Sequence, residues 1–65
     1  MNLVTCSEYK VGDQVQLQLT GGDLEYCGDV VEVGSSSMKV EVPFINSAVT
    51  YTLAEGQQVT SIHKG

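Results

Sequence analysis

Three stretches of this chain alternate apolar and polar residues with a period of two: Val15-Gln16-Leu17-Gln18-Leu19, Met38-Lys39-Val40-Glu41-Val42 and Val49-Thr50-Tyr51-Thr52-Leu53. Successive side chains of an extended backbone point to opposite sides, so each stretch carries one apolar and one polar face. The pattern predicts a small, curled antiparallel sheet with one buried face and one wet face.

At 65 residues the chain makes one domain, close to the lower size at which a single core stabilises a fold. Apolar burial at ~25 cal/mol per Å² roughly cancels chain entropy at this size, so self-association, a disulfide, a metal or docking onto a larger protein would add needed stability. Residues 1–10 form an N-terminal segment with two readings. Leu3 and Val4 suit the start of an edge strand, and Thr5-Cys6-Ser7-Glu8 resembles a capped single helical turn. Residues 11–62 read as a barrel of five strands: Gln14 to Thr20, Leu24 to Val33, Met38 to Val42, Val49 to Leu53, and Gln58 to Ile62. Residues 63–65 read as a frayed tail. Gly21-Gly22-Asp23 is a hairpin signal, Pro43 a strand end, and 44–48 a connection. Within the second strand the apolar phase changes, and Gly28 is the expected site of a bulge or sharp bend. The predicted fold class is all-β, a small five-stranded antiparallel SH3-like or split β-barrel.

Charge excludes several roles. Eight acids (Glu8, Asp13, Asp23, Glu25, Asp29, Glu32, Glu41, Glu55) face three lysines (Lys10, Lys39, Lys64) and no arginine, for a net charge of −5. Small barrels that bind nucleic acid use a basic groove to neutralise phosphates, and this field has the opposite sign. No apolar run approaches the ~20 residues that span a bilayer. Met1-Asn2-Leu3-Val4-Thr5 is too short and polar for a signal peptide, which predicts a cytoplasmic setting. There Cys6 and Cys27 are expected as reduced thiols, with a disulfide as the alternative. Cys27, flanked by Glu25, Tyr26 and Asp29, lacks a basic neighbour to stabilise a thiolate and reads as a small buried side chain.

No catalytic constellation emerges. The acids are spread singly, Asp13, Asp23 and Asp29 sit near glycines as ordinary turn residues, and no D-x-D-x-D or zinc spacing is present. The Ser35–Ser37 run has no base nearby in sequence, and His63 is the only histidine. The chain therefore reads as a non-enzyme without metal or cofactor. Among the aromatics, Tyr51 shares the phase of Val49 and Leu53 and reads as core, with its hydroxyl reaching the rim. Phe44 continues the phase of Val40 and Val42; it caps the core or, with Ile45, forms an apolar loop patch. Tyr9 is the third residue considered as a partner contact, beside Phe44 and Ile45.

The succession Val11-Gly12-Asp13-Gln14-Val15-Gln16-Leu17-Gln18-Leu19, Glu25-Tyr26-Cys27-Gly28-Asp29-Val30-Val31-Glu32-Val33, Met38-Lys39-Val40-Glu41-Val42-Pro43 and Tyr51-Thr52-Leu53-Ala54-Glu55-Gly56-Gln57-Gln58-Val59 resembles the N-terminal split-barrel domain of PilZ-type flagellar-brake proteins. The likeness spans about residues 11 to 62, and it is a pattern of hydrophobics, glycines and one proline. It implies a split barrel and a bacterial or phage setting. It does not carry cyclic di-GMP recognition, because the R-x-x-x-R motif of those proteins needs arginine and this chain has none.

The expected function is a non-enzymatic protein-interaction or adaptor module. It would act through a sheet edge or the Phe44-Ile45 loop and self-associate as a homodimer or larger species. Two alternatives stand beside it: a barrel binding a nucleotide or metabolite at a subunit junction, and a Tudor- or KOW-like nucleic-acid binder.

Overall fold

The computed structural model describes residues 2–22 and 24–65. The strands are β1 (Asn2–Leu3), β2 (Gln14–Gln18), β3 (Tyr26–Val33), β4 (Ser37–Phe44), β5 (Ser47–Ala54), β6 (Gln58–Val59) and β7 (Ser61–Lys64), with one 3₁₀ turn at Cys6–Glu8. The all-β, five-stranded antiparallel class is as expected: β2 to β5 form a meander, and β7 returns to lie beside β2, giving the order β5-β4-β3-β2-β7. The sheet is open and not a closed barrel, because no ladder joins its edge strands β5 and β7. A separate ribbon of β1 and β6 completes the fold.

The alternating runs lie as their period demands. Val15 and Leu17 of β2, Val30 of β3, Met38, Val40 and Val42 of β4, and Leu53 of β5 are all buried. Val4, Cys6, Tyr9 and Val59 close over them from the N-terminal segment and the ribbon. Both readings of that segment are realised in succession, a short edge strand followed by a helical turn. Thr5 makes no side-chain cap; the Cys6 N–H instead donates to Glu55 Oε1 at 2.8 Å. Gly56 turns the chain at φ +80°, a left-handed conformation that glycine adopts without steric cost, and its N–H donates to the Val4 carbonyl at 2.8 Å.

Several boundaries differ from expectation. The strand expected over Gln58 to Ile62 breaks at Thr60 into β6 and β7, which belong to different sheets. The tail at 63–65 is not frayed: His63 and Lys64 pair with Gln16 and Val15, and His63 Nε2 lies 2.6 Å from Gln16 Oε1. β4 does not stop at Pro43 but runs to Phe44, leaving a two-residue turn of Ile45 and Asn46. The β3–β4 pairing ends at Asp29↔Glu41, so the missing Pro43 N–H interrupts no ladder. Of the Gly21-Gly22-Asp23 signal, Asp23 lies outside the described residues.

Gly28 and the bulge are two separate features. Gly28 sits in register opposite Val15, and the pairing with β4 shifts later, between Val30 and Glu32, which leaves Val31 exposed. The apolar phase changes because of this extra residue, three positions beyond Gly28. Gly28 serves instead where β4 crowds against β3. A Cβ there would stand 2.7 Å from the Glu41 carbonyl oxygen and Val40 Cγ1, and 3.1 Å from Val42 Cγ2. Because backbone cannot yield as a side-chain tip can, Gly28→Ala should cost about 2 kcal/mol, within the range for overpacked cores. Urea unfolding should show a lower midpoint at unchanged slope.

Candidate functional site

The inward face of the sheet extends beyond the core it encloses. Directly opposed residues share a face, and the register places Tyr51 opposite Val40, Val49 opposite Val42, and Tyr26 opposite Leu17. Phe44 continues the parity of Val40 and Val42 at the end of β4. Tyr26, Phe44, Val49 and Tyr51 therefore lie on the core side of the sheet, yet past the residues that cover it. Phe44 is 45% exposed and Val49 41%, while Tyr26 and Tyr51 are half-buried.

The three rings form a row. The centroids of Tyr26 and Phe44 are 6.2 Å apart with the planes at 72°, an edge-to-face contact. Tyr26 and Tyr51 are 5.8 Å apart at 33°. Such pairs fall within the favourable separations for aromatic rings. Ile45, at the tip of the adjoining turn, is 99% exposed. A turn usually presents polar residues to water, so a fully exposed isoleucine beside an aromatic row makes a contiguous apolar surface.

Of the three residues expected to contact a partner, Phe44 and Ile45 belong to this surface. Tyr9 belongs to the core, at 8% exposure, with Lys64 Nζ 5.9 Å above its ring. Tyr26 and Tyr51 are the members that sequence reading missed. The phase of Tyr51 reads as core, correctly for the face, and that of Tyr26 stays open, but phase carries no information about how far along a strand the covering elements reach.

A second concavity lies around β2, β3 and the C-terminal residue: an open groove of about 260 Å³ lined by Gln14, Gln16, Cys27, Gly28, Asp29 and Pro43 among others. It is somewhat smaller than the roughly 300–1,000 Å³ of common small-molecule sites. Cys27 is exposed there, contrary to its expected burial, because β3 alternates and Cys27 falls on the wet side opposite Gln16. Asp13 is a turn residue as expected. Its Oδ2 accepts the Lys10 N–H at 2.9 Å and lies 3.7 Å from Lys64 Nζ. Lys39 is 3.6 Å from Glu32, so two of the three lysines stand beside acids. Among the described residues no three His, Cys, Asp or Glu side chains converge as a metal site, and no helix is long and apolar enough to cross a membrane.

No family model, curated protein or solved structure matches the chain.

The two cysteines are free, and their surroundings separate them. Burial pushes the Cys6 thiol above its ordinary pKa of 9.0, and the Glu55 carboxylate adds to the rise. Burial, and secondarily the charge of Glu8, raises Tyr9 above 10.0. A group with a raised folded pKa keeps a proton that the unfolded chain has lost. Its contribution is thus complete below the unfolded value and fades as pH rises through the folded one. Thermal melts should show stability declining from near pH 9 upward, and Cys6→Ala should flatten the first part of that decline. A thiol reagent at neutral pH should modify Cys27 quickly and Cys6 only as the chain unfolds.

Proposed function

We propose that this chain is a non-enzymatic protein-interaction module that docks through the apolar end of its β4–β5 hairpin. The observation that carries this reading is the uncovered aromatic row of Tyr26, Phe44 and Tyr51 beside a fully exposed Ile45. Aromatic side chains supply large contact area at small entropic cost, and they dominate the energetics of protein interfaces. The fold supports such a role, because the β4–β5 hairpin carries these side chains at the edge of the sheet. The net charge of −5 and the acid-paired lysines favour a protein partner over nucleic acid.

The split-barrel reading is supported by the meander with its last strand returned to β2. The resemblance to flagellar-brake domains rests on the sequence pattern alone and does not carry nucleotide recognition, for want of arginine. A reducing, cytoplasmic compartment suits a chain whose Cys27 thiol is exposed.

Native mass spectrometry of the chain isolated from its own host should show a protein-bound species, homomeric or heteromeric. Phe44→Ser with Ile45→Ser should weaken that species about tenfold or more, the usual scale for truncating interface anchors. Thermal stability should fall by only about 1 kcal/mol, since Ile45 is fully exposed and Phe44 gives up its edge contact with Tyr26. A chain that is always found alone, or a complex indifferent to both substitutions, would refute the docking role.

A further inference from the structure

The two edges of the five-stranded sheet differ sharply. β7 is four residues long and ends in His63 and Lys64; β5 is eight residues long and holds no charged residue, no proline and no glycine. Sheet edges are normally guarded against pairing by charge, proline, bulges or short length, and β5 has none of these guards. Residues 47–50 are exposed.

The main-chain geometry identifies which groups are offered. Glu55 N–H donates to the Ser36 carbonyl on the β4 side, whereas Ala54 N–H donates away from β4, to Gln57 Oε1. Alternation then directs the N–H and C=O of Ala48, Thr50 and Thr52 outward. Among the described residues, no strand takes them up.

The sequence of this edge reads almost the same in both directions about Tyr51: Ala48-Val49-Thr50-Tyr51-Thr52-Leu53-Ala54. A palindromic strand is complementary to itself in antiparallel pairing. We propose that β5 pairs with β5 of a second copy of this chain about a two-fold axis at Tyr51, fusing two sheets into one. This rests on the reading of the β4–β5 hairpin as a contact surface and names its partner.

In that register Thr50 stands opposite Thr52 of the second copy, and the two exchange both main-chain hydrogen bonds through groups otherwise left to water. Val49 meets Leu53, Tyr51 meets Tyr51, and Ala48 meets Ala54, so apolar and polar faces are each matched. Ser47 falls opposite Glu55, and no acid meets an acid despite the net charge of −5. The Tyr26–Tyr51 rows of the two copies become continuous at the axis. The arrangement closes as a dimer because the interface is isologous and each sheet has a single edge of this kind. A register centred on Thr50 would set Val49 against Tyr51 and Ser47 against Leu53, a poorer match.

Sedimentation equilibrium of the full chain, with circular dichroism to confirm folding, tests the pairing. The wild-type chain should dimerise with a dissociation constant on the order of 1–100 µM, as expected of a small interface. Thr50→Pro, which removes an outward N–H that β4 does not use, should weaken dimerisation at least tenfold. Thr50→Lys with Thr52→Lys should do the same by setting like charges opposite. Thr50→Lys with Thr52→Glu should keep the dimer, since opposite charges then meet across the axis. If Thr50→Pro fails to fold, the two charge variants still decide. A wild-type chain monomeric at ~500 µM, or disrupting variants that dimerise like wild type, would overturn the pairing. A Lys/Glu variant as weak as the Lys/Lys variant would overturn the register. A monomeric chain that still loses a heteromeric partner on Phe44→Ser with Ile45→Ser would defeat the pairing and leave the docking role standing. A β5 dimer with no response of any complex to those two substitutions would do the reverse.

Discussion

The close approach of β3 to β4 at Gly28 is the constraint on which the rest of this structure depends. With only backbone at that position, the Glu41 carbonyl and the Val40 and Val42 side chains crowd into space that any Cβ would occupy. The sheet can then coil tightly enough for Val15, Leu17, Val30, Met38, Val40 and Leu53 to meet one another, not to lie spread over a flat face. A chain of 65 residues has too few large apolar side chains to cover a flat sheet, so coiling substitutes for a second layer.

Coiling has a second consequence at the far end of the hairpin. The N-terminal segment and the β1–β6 ribbon cover the inward face over the middle of the sheet, with Val4, Cys6, Tyr9 and Val59 all buried. They do not reach the end of β4 and the start of β5. The same alternation that fills the core therefore continues into solvent as Phe44, Val49 and Tyr51, joined by Tyr26 from β3. A core and a contact surface are thus successive parts of one apolar stripe, separated only by where the cover stops. The neutral edge of β5 runs along the same hairpin, so apolar area and unused main-chain groups are concentrated in one place.

Much of the fold was legible from residue pattern. The alternating runs fall in β2, β4 and β5 with their apolar members inward, because a period of two admits a single buried face. Glycine in the middle of β3 pointed to a bulge or bend, and Gly28 is where β4 leaves no room for a Cβ. The bulge was displaced because the sequence shows only that a phase changes between Val30 and Val33. Which residue is left unpaired depends on the register with β4. Cys27 was misplaced for the same reason: with the phase change assigned to Gly28, its side could not be told. Phe44 and Ile45 stood out as apolar residues beside a proline, whereas only the hydroxyl of Tyr51 was expected at the rim and Tyr26 carried no mark of its position.

Sequence by itself determined the all-β class, the antiparallel sheet and the inward side of β2, β4 and β5, since these follow from local periodicity and turn residues. Tertiary structure alone decided that the closing segment divides at Thr60 between two sheets, that the sheet stays open between β5 and β7, and that the aromatic row lies beyond the cover. These outcomes depend on contacts between residues far apart in the chain, such as Glu55 with Cys6 and Val4 with Gly56 and Gln57. Local pattern carries no record of such distances.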